Sequence, residues 1–414
     1  MTAATPSARA ADVRWVAAEW ARAGFTHAHV QPLFAPPGGA PLATTDALSL
    51  TLWRTRVPTP LHAMVRLWVL GHPVPASWCQ QALPTWRDWA ARGWVEARDR
   101  AIAPCASVSF HDGTPLVADP PHAKPEADHV MGATTATLLL ERCLLPGPHL
   151  ETLDLGTGSG LLALRLAASS PHVTATDVNP RALAYARLNT RLAKASHVRI
   201  VHGNGFSGLR PSGGFDLVVG NLPFVLSPER RFVYRDGTPL EGTHDSGPDT
   251  LTAALVQQVG KHLCAGGFAQ FLVQWPHPAD LVDAGNPAAI GRAEENHLAG
   301  WLSGNGCHAL FWRFGSQTLE AHALTWSAGA ARDTASARVR RIGRWITGLR
   351  AAGVGAVSTG LVTLKRSDEG DRPFMRLEDV DPPQAPCGAA LKDRFEMWVR
   401  ASRRGPRKKK NAFP

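Results

Sequence analysis

The sequence lacks paired cysteines. Its six cysteines lie far apart along 414 residues, and no C-x-x-C pair occurs. This spacing argues against a zinc ribbon and against a disulfide scaffold. The chain also lacks a charged-then-apolar leader, and no run approaches the roughly 18 apolar residues that a membrane span needs. We therefore expect a soluble cytoplasmic protein with no metal centre and no membrane partner.

The sequence is rich in apolar residues and has a basic charge balance. Hydrophobic residues make up 44% of the chain, and its length allows about two or three domains with a sizeable core. The formal net charge is +10, and six positive charges lie between Arg403 and Lys410. A basic balance favours anionic partners such as RNA. A solvated, disordered tail explains so short a run equally well.

Residues 151–160, ETLDLGTGSG, predict a strand, a glycine turn and the start of a helix. Gly156, Gly158 and Gly160 let the backbone turn sharply and approach a ligand closely. The free N–H groups at the helix start favour a polar or anionic ligand. A dinucleotide site would instead read G-x-G-x-x-G, and Leu161 stands at the place of its last glycine. A tight turn without a ligand is the alternative.

With Asp154 before the turn, the segment resembles D-x-G-x-G-x-G, the first motif of class I S-adenosylmethionine (SAM) methyltransferases. The resemblance implies that Gly156 and Gly158 pass under the amino-acid end of the cofactor. It also implies that Asp154 orients the cofactor's ammonium group. Thr157 and Gly160 complete the predicted cofactor-binding turn.

Two further strand ends are predicted to hold the cofactor. Asp177 ends the second strand, where a carboxylate can accept hydrogen bonds from both ribose hydroxyls of a nucleoside. Asn179 and Pro180 are helix-start signals, so a capping role for Asp177 is a compatible alternative. By resemblance, Asn204 stands where related enzymes place an aspartate that accepts from the adenine amino group. Phe206 is predicted to pack either on the adenine or in the core.

Residues 216–225, DLVVGNLPFV, resemble the N-P-P-[YF] motif of N-methyltransferases that act on planar nitrogen. These include release-factor glutamine methyltransferases, adenine-N6 DNA methylases and small-domain rRNA guanine methyltransferases. The resemblance implies that the Asn221 oxygen and the Leu222 carbonyl accept the two N–H bonds of the substrate's NH₂ group. It also implies that Pro223 completes the motif and that Phe224 stacks on the substrate. Catalysis would then be positioning plus local electrostatics. Leu222 stands at the family's first proline, so the backbone carbonyl remains but is held less rigidly. The alternative interpretation of this segment is a strand end followed by a proline turn.

Residues 234–249 form a polar, glycine-rich segment, YRDGTPLEGTHDSGPD. A long loop at the carboxyl edge of a parallel sheet usually faces the active site. Arg235 and Asp236 are therefore predicted to contact the substrate.

The alternation of strands and helices after the glycine turn predicts a parallel α/β sheet. Its further strands are predicted at residues 172–176, 197–201, 215–220 and 268–275. Residues 307–314 and 319–326 alternate like two strands, which predicts a closing antiparallel hairpin. Such a hairpin distinguishes a methyltransferase sheet from a dinucleotide-binding one.

Helices followed by short strands near the N-terminus suggest a winged-helix-like module, for which protein docking or plain packing is favoured over groove binding. The expected fold is a Rossmann-like class I methyltransferase with this module and a basic extension. The predicted regions are an N-terminal segment, partly flexible (1–45), the winged-helix-like module (46–118), the methyltransferase domain (119–327), the C-terminal extension (328–400) and a disordered basic tail (401–414).

These features predict a SAM-dependent enzyme that N-methylates a planar NH₂ group on a macromolecule. The target is an RNA base (rRNA or tRNA) or a glutamine of a translation-related protein, and the charge favours RNA. An NAD(P)-dependent oxidoreductase is disfavoured by the missing glycine and the predicted hairpin. A non-catalytic RNA-binding protein with a relict core is disfavoured by the presence of Asp154, Asp177 and Asn221.

Overall fold

The computed structural model describes residues 5–36, 44–121, 128–209, 213–228, 250–327 and 334–403. Its N-terminal region begins with helices and continues with short antiparallel strands. The helices are α1 (Ala10–Ala23), α2 (His27–Val30), α3 (Thr44–Arg54), α4 (Pro60–Met64) and α5 (Trp86–Ala91). The strands are β1 (Val74–Pro75), β2 (Val95–Arg98), β3 (Ala101–Pro104), β4 (Ser107–His111) and β5 (Thr114–Ala118).

The short N-terminal strands form two separate ladders. One has the order β1-β3-β2, and the other is the hairpin β4-β5. Asp112 and Gly113 connect the hairpin with φ angles of 48° and 79°, the positive values that a tight hairpin turn needs. The short strands predicted near the N-terminus are present, and they belong to two different ladders. The likeness to a winged-helix module stays a prediction.

The N-terminal region shares its core with the following domain. Trp68, Trp89 and Trp94 are buried together. The ring centroid of Trp89 lies 4.5 Å from that of Trp68 and 5.6 Å from that of Trp94. The same apolar cluster includes Tyr185 and Leu188, which lie on a helix of the large α/β domain. The two regions are therefore joined by continuous apolar packing.

The α/β domain is built on one eight-stranded sheet. Its strands are β6 (Glu151–Leu155), β7 (His172–Asp177), β8 (Val198–His202), β9 (Phe215–Gly220), β10 (Leu263–Pro278), β11 (Cys307–Thr318), β12 (Val354–Arg366) and β13 (Met375–Asp379). Their order is β13-β11-β12-β10-β9-β6-β7-β8. Strand β12 is antiparallel to both neighbours, and the other paired strands are parallel. The predicted α/β class is confirmed, and the sheet is mixed because β12 is antiparallel to its neighbours.

Helices cover both faces of this sheet. They are α6 (Thr135–Cys143), α7 (Leu161–Ala167), α8 (Pro180–Leu192), α9 (Thr250–Val259), α10 (Ala279–Asp283), α11 (Pro287–Trp301), α12 (Leu319–Trp326), α13 (Ala335–Ala351) and α14 (Gly388–Arg403). Along β10, Phe268 and Leu272 join the core beneath α6, α7, α13 and α14, whereas Phe271 and Val273 join the core beneath α9 and α11. This alternation follows from the two-residue period of a strand.

The predicted closing hairpin is wrong. Residues 307–318 form one strand, β11, and residues 319–326 form helix α12. Thr318 decides the change because its side chain accepts a hydrogen bond from the Ala321 N–H, which caps a helix start. Over eight residues the apolar pattern is compatible with either period. The antiparallel partner of β10 and β11 is β12.

Strand β12 also changes the predicted domain limits. It lies within residues 328–400, the predicted C-terminal extension, yet it occupies the middle of the sheet. The boundary predicted at residue 327 is therefore wrong, because the sheet needs the later strand to complete its hydrogen bonding.

Helix α14 reaches into the predicted basic tail. Arg403 ends this helix and pairs with Asp371 (Nη2–Oδ2, 2.7 Å) and with Asp368. The first residues of the predicted disordered tail, 401–403, are thus helical, and its remainder lies outside the described residues. Of the helices in the described ranges, none has the length and apolarity to traverse a bilayer.

Candidate functional site

A cavity of about 560 Å³ opens at the carboxyl ends of β6, β7, β8 and β9. Turns that follow these strands line it, together with residues 128–134, the start of α6 and the start of α9. Ligands of open α/β sheets bind at this edge. The predicted site residues that line it are Gly156, Thr157, Gly158, Asp177, Asn204, Asn221, Leu222 and Pro223.

The three glycines of the turn have positive φ angles, 69° at Gly156, 56° at Gly158 and 92° at Gly160. A Cβ atom on Gly156 would lie 2.9 Å from the Leu222 Cδ2 atom. One on Gly160 would lie 3.3 Å from Ala186 of α8, whereas one on Gly158 would meet nothing within 4 Å. Gly158 therefore faces open cavity, and Gly160 permits the close approach of α7 and α8. The structure does not bring Gly160 to the cavity, contrary to the prediction.

Asp154 is fully buried beneath the glycine turn. Its Oδ2 atom accepts hydrogen bonds from the Thr157 hydroxyl (2.6 Å) and the Ala163 N–H (2.9 Å). Burial raises the pKa of Asp154 to about 7, although both hydrogen bonds act in the opposite direction. The carboxyl group does not line the cavity. Asp154 thus supports the turn from below, and its predicted contact with the cofactor's ammonium stays a prediction.

Asp177 joins the glycine turn to the end of β7. Its Oδ2 atom accepts from the Gly158 N–H (2.9 Å), and its Oδ1 atom accepts from the Asn179 N–H (2.8 Å). Burial raises the pKa of Asp177, and the hydrogen bonds oppose this shift. Each carboxylate oxygen keeps a second acceptor direction, so a ribose hydroxyl can still bind. Helix α8 is capped by the Asn179 side chain, which accepts from the Arg181 N–H (2.9 Å).

The two residues predicted near the adenine differ in position. Asn204 lines the cavity, in the turn after β8. Phe206 is 5% exposed and stacks on His262, with ring centroids 4.4 Å apart and an interplanar angle of 12°. Phe206 therefore belongs to the core and does not line the cavity. Of the two predicted positions, on the adenine or in the core, the structure shows the second.

Asn221 is held by a residue that the sequence analysis did not single out, Thr137. The Asn221 Nδ2 donates to the Thr137 Oγ1 at 2.9 Å. The Oδ1 atom of Asn221 is buried and has no partner among the described residues. Thr137 lies in the first turn of α6, whose start is capped by Thr134. A threonine pair before an apolar helix is a helix-start signal, but nothing in it indicates a partner 84 residues away.

The rest of the predicted acceptor motif divides between cavity and core. Leu222 and Pro223 line the cavity. Phe224 is 4% exposed and packs edge-on against Trp326, with centroids 6.0 Å apart. The predicted stacking of Phe224 on a substrate is wrong for this structure, because the ring is enclosed by the core.

The predicted substrate contacts Arg235 and Asp236 lie outside the described residues. The wall formed by residues 128–134, which includes His129 and Met131, was not predicted as part of the site. Burial lowers the pKa of His129, which lies near Asp119.

Asp119 anchors that wall to α8. It accepts from Arg181 (Nε–Oδ2, 2.9 Å), from the Tyr185 hydroxyl (2.6 Å) and from the Val130 N–H (2.8 Å). Burial opposes ionisation, but these bonds hold the pKa of Asp119 below its usual value. The wall is therefore fixed by a buried, fully hydrogen-bonded carboxylate.

The cavity fits a nucleoside cofactor with an amino-acid end. Gly158 leaves backbone exposed at the turn, Asp177 provides acceptors for hydroxyl groups, and Asn204 provides an amide. Across the described ranges, no three His, Cys, Asp or Glu side chains are placed to hold a metal ion.

Comparisons with known proteins agree with this geometry. Residues 132–233 match the family model "Methyltransferase small domain", and residues 22–104 match a domain of unknown function, DUF7059. The release factor glutamine methyltransferase of Deinococcus radiodurans is 46% identical over 82 residues, which cover 19% of this chain and 28% of that protein.

Two longer matches are similar. The release factor glutamine methyltransferase of Bordetella pertussis is 30% identical over 174 residues, covering 41% of this chain and 61% of that protein. The ribosomal protein L11 methyltransferase of Rhodopseudomonas palustris is 34% identical over 148 residues, covering 32% and 50%. The chain thus spans about half the length of these curated relatives.

The family match covers the segment from the cavity wall through the glycine turn to the acceptor motif, which are the parts that line the cavity. The sheet around that segment has the expected parallel order with an antiparallel closing strand. The cofactor of this domain is accordingly S-adenosylmethionine. Residues 132–233 are thus the core of a SAM-dependent methyltransferase domain, and the chain is similar in part to the release-factor glutamine methyltransferases.

Proposed function

We propose that the protein methylates the nitrogen of a planar NH₂ group on a macromolecule of the translation apparatus. The observation that carries this proposal is the Asn221 side chain. Its Nδ2 is committed to Thr137, and its Oδ1 is a buried acceptor without a partner in the described residues. A buried acceptor of this kind is costly unless a ligand donor completes it.

When bound, SAM would supply a methyl group on a positively charged sulfur. The N–C bond would form as the C–S bond breaks, the sulfur would leave as a neutral thioether, and the nitrogen would then lose one proton to water. An amide or aromatic NH₂ is a poor nucleophile because its lone pair is delocalised. The Asn221 oxygen can accept one of its N–H bonds and so orient the group. As positive charge develops on the nitrogen, the same oxygen stabilises it without having to reorganise.

Leu222 provides the second part of the acceptor. Its carbonyl is proposed to accept the other N–H bond, which would define the plane of the NH₂ group. The Leu222 side chain packs against Gly156 of the glycine turn, where a Cβ atom would lie 2.9 Å from the Leu222 Cδ2 atom. The acceptor segment and the cofactor turn are thus in direct contact, and the bound NH₂ would lie beside the cofactor.

The names of the relatives support a translation-related substrate. They act on release factor glutamine and on ribosomal protein L11. For this chain, an RNA base and a protein glutamine are both compatible with two N–H acceptors at Asn221 and Leu222. Because Phe224 is enclosed, neither target would stack on that ring.

The experiment offers rRNA, tRNA and release factor separately, with labelled SAM, to the wild type and to Asn221→Ala. Mass spectrometry then maps the methyl mark. We expect a mark on nitrogen and labelling by Asn221→Ala reduced about 10²–10³-fold, the usual loss for one preorganised contact. SAM affinity, measured by calorimetry, should stay nearly unchanged.

The matched control is Asn286→Ala, which removes an asparagine that caps α11 away from the cavity. It should leave labelling intact. A mark on oxygen or carbon, or full activity of Asn221→Ala, would contradict the proposal. Micromolar binding of NAD without any response to SAM would restore the oxidoreductase alternative.

A further inference from the structure

Helix α13 carries an unusual charge. Its sequence, ASARVRRIGRWITGLRA, contains five arginines and no acidic residue. Two of the arginines are engaged within the protein. Arg350 pairs with Asp283 (Nη1–Oδ1, 2.8 Å), and Arg341 donates to the Ser327 carbonyl (3.0 Å).

The other three, Arg338, Arg340 and Arg344, are exposed. Within the described ranges their side chains form neither an ion pair nor a hydrogen bond. Arg340 and Arg344 are four residues apart, so their like charges face each other and destabilise the helix. An anionic partner from outside the chain would relieve this repulsion.

The position of these arginines relates them to the acceptor segment. Arg340, Arg344 and Gly348 follow one another at intervals of four residues, on one helical face and about 6 Å apart along the axis. A Cβ atom on Gly348 would lie 2.5 Å from the Pro228 Cβ. The row therefore ends against Pro228, in the segment that begins with the acceptor residue Asn221.

The direction of α13 agrees with this placement. The helix ends at Ala351, and β12 begins at Val354, paired with Pro278 at the carboxyl end of β10. Because β10 is parallel to β9, that end lies at the sheet edge that holds the cavity. The arginine row thus runs along the outside of the domain toward the cavity edge.

We propose that this arginine row, Arg340 and Arg344 with Arg338 beside them, binds the phosphate backbone of an RNA substrate whose target base enters the cavity. This inference rests on the proposed methylation of a planar NH₂ group, and it assigns that group to a base of RNA. Guanidinium groups bind phosphate through paired, charge-assisted hydrogen bonds. Such contacts position a strand and do not read its sequence. A glutamine in a protein carries no phosphate backbone.

The test measures binding of a fluorescein-labelled, single-stranded 20-nucleotide RNA of mixed sequence, over a salt series. The variants are Arg340→Gln/Arg344→Gln and the matched control Arg292→Gln. Arg292 is an exposed arginine on α11, which covers the opposite face of the sheet. The charge-conserving variant Arg340→Lys/Arg344→Lys completes the set.

We expect the double glutamine variant to raise the Kd about tenfold at 0.1 M salt. Each lost phosphate contact should also reduce the salt slope by about 0.7, or roughly 1.4 for two. Arg292→Gln should behave as the wild type, and the lysine variant should keep the slope.

Equal Kd and slope for the double glutamine variant and Arg292→Gln would overturn the inference, as would a lysine variant as weak as the glutamine one. Calorimetry with SAM on the same preparations tests the proposed function separately. Normal SAM binding and release-factor labelling, together with no RNA binding, would refute only the RNA surface and favour the protein substrate.

Discussion

The two halves of the cavity are constructed differently. The cofactor half consists largely of backbone, with Gly156, Gly158 and the turn after β8, and its central polar contact joins the Gly158 N–H to Asp177. The acceptor half depends on side chains, and its central contact joins Asn221 to Thr137. Partners in the first half lie 19 residues apart, and those in the second lie 84 apart. Substitutions should therefore weaken cofactor binding in one half and turnover in the other.

The largest expected effect is a loss of stability, and it tests whether Phe224 belongs to the core or to the acceptor half of the cavity. Phe224→Ala should lower the free energy of unfolding by about 3–5 kcal/mol, as for other buried aromatic truncations, because the ring packs in the core against Trp326. Urea unfolding measures the loss, and Phe224→Leu should lose much less. A stable Phe224→Ala with a raised KM for the substrate would instead place the ring in the acceptor half.

The next effect tests the cofactor half. Asp177→Ala should weaken SAM binding by about 1.5–3 kcal/mol, since hydrogen bonds to a charged group are lost and the Gly158 N–H loses its partner. Calorimetry measures it. The control, Asn286→Ala, removes the cap of α11, which lies away from the cavity, so it should reduce stability and leave SAM affinity nearly unchanged. Equal SAM affinity in Asp177→Ala and the wild type would show that the Asp177 carboxylate does not bind the cofactor.

A smaller effect tests the acceptor half. Thr137→Val keeps the shape of the side chain but leaves the Asn221 Nδ2 without its acceptor, which frees the amide to turn. We expect kcat to fall about tenfold with SAM affinity unchanged, the scale of one hydrogen bond whose partner is removed. Thr137→Ser should restore kcat. If serine fails to rescue, Thr137 acts through packing and does not orient Asn221.

The smallest effect concerns the support beneath the cofactor half. The pKa of Asp154 is raised from 3.8 to about 7 by burial. A raised pKa in the folded state means that the stability contribution is full below about pH 4 and is lost as pH rises toward 7. Asp154→Asn should not show this decline, because both hydrogen bonds go to one oxygen, which an amide retains.

Urea unfolding at pH 5 and pH 8 compares the two proteins. The wild type should lose more stability than Asp154→Asn over this interval. Parallel losses would show that Asp154 is ionised throughout, and the raised pKa would then be wrong.

Some residues were predictable because their signal is local. The glycine turn and Asn221 follow directly after buried strands, and Asp177 is the last residue of one. Parallel strands bring their carboxyl ends to one edge. Phe206 and Phe224 stand in the same turns, but the direction in which an aromatic ring points depends on what packs around it. The pattern could not show that His262 and Trp326 would enclose these rings.

By itself, the sequence determined the positions at which the backbone must turn and the polar groups that follow those turns, since glycine, proline and capping residues act on their immediate neighbours. Only the tertiary structure decided that β12 enters the sheet between β10 and β11, that Thr137 orients Asn221, and that α13 directs its arginines toward the cavity edge. The physical reason is that these contacts join segments far apart in the chain. Their partners are selected by the burial of apolar faces and the completion of backbone hydrogen bonds, which no short stretch of residues encodes.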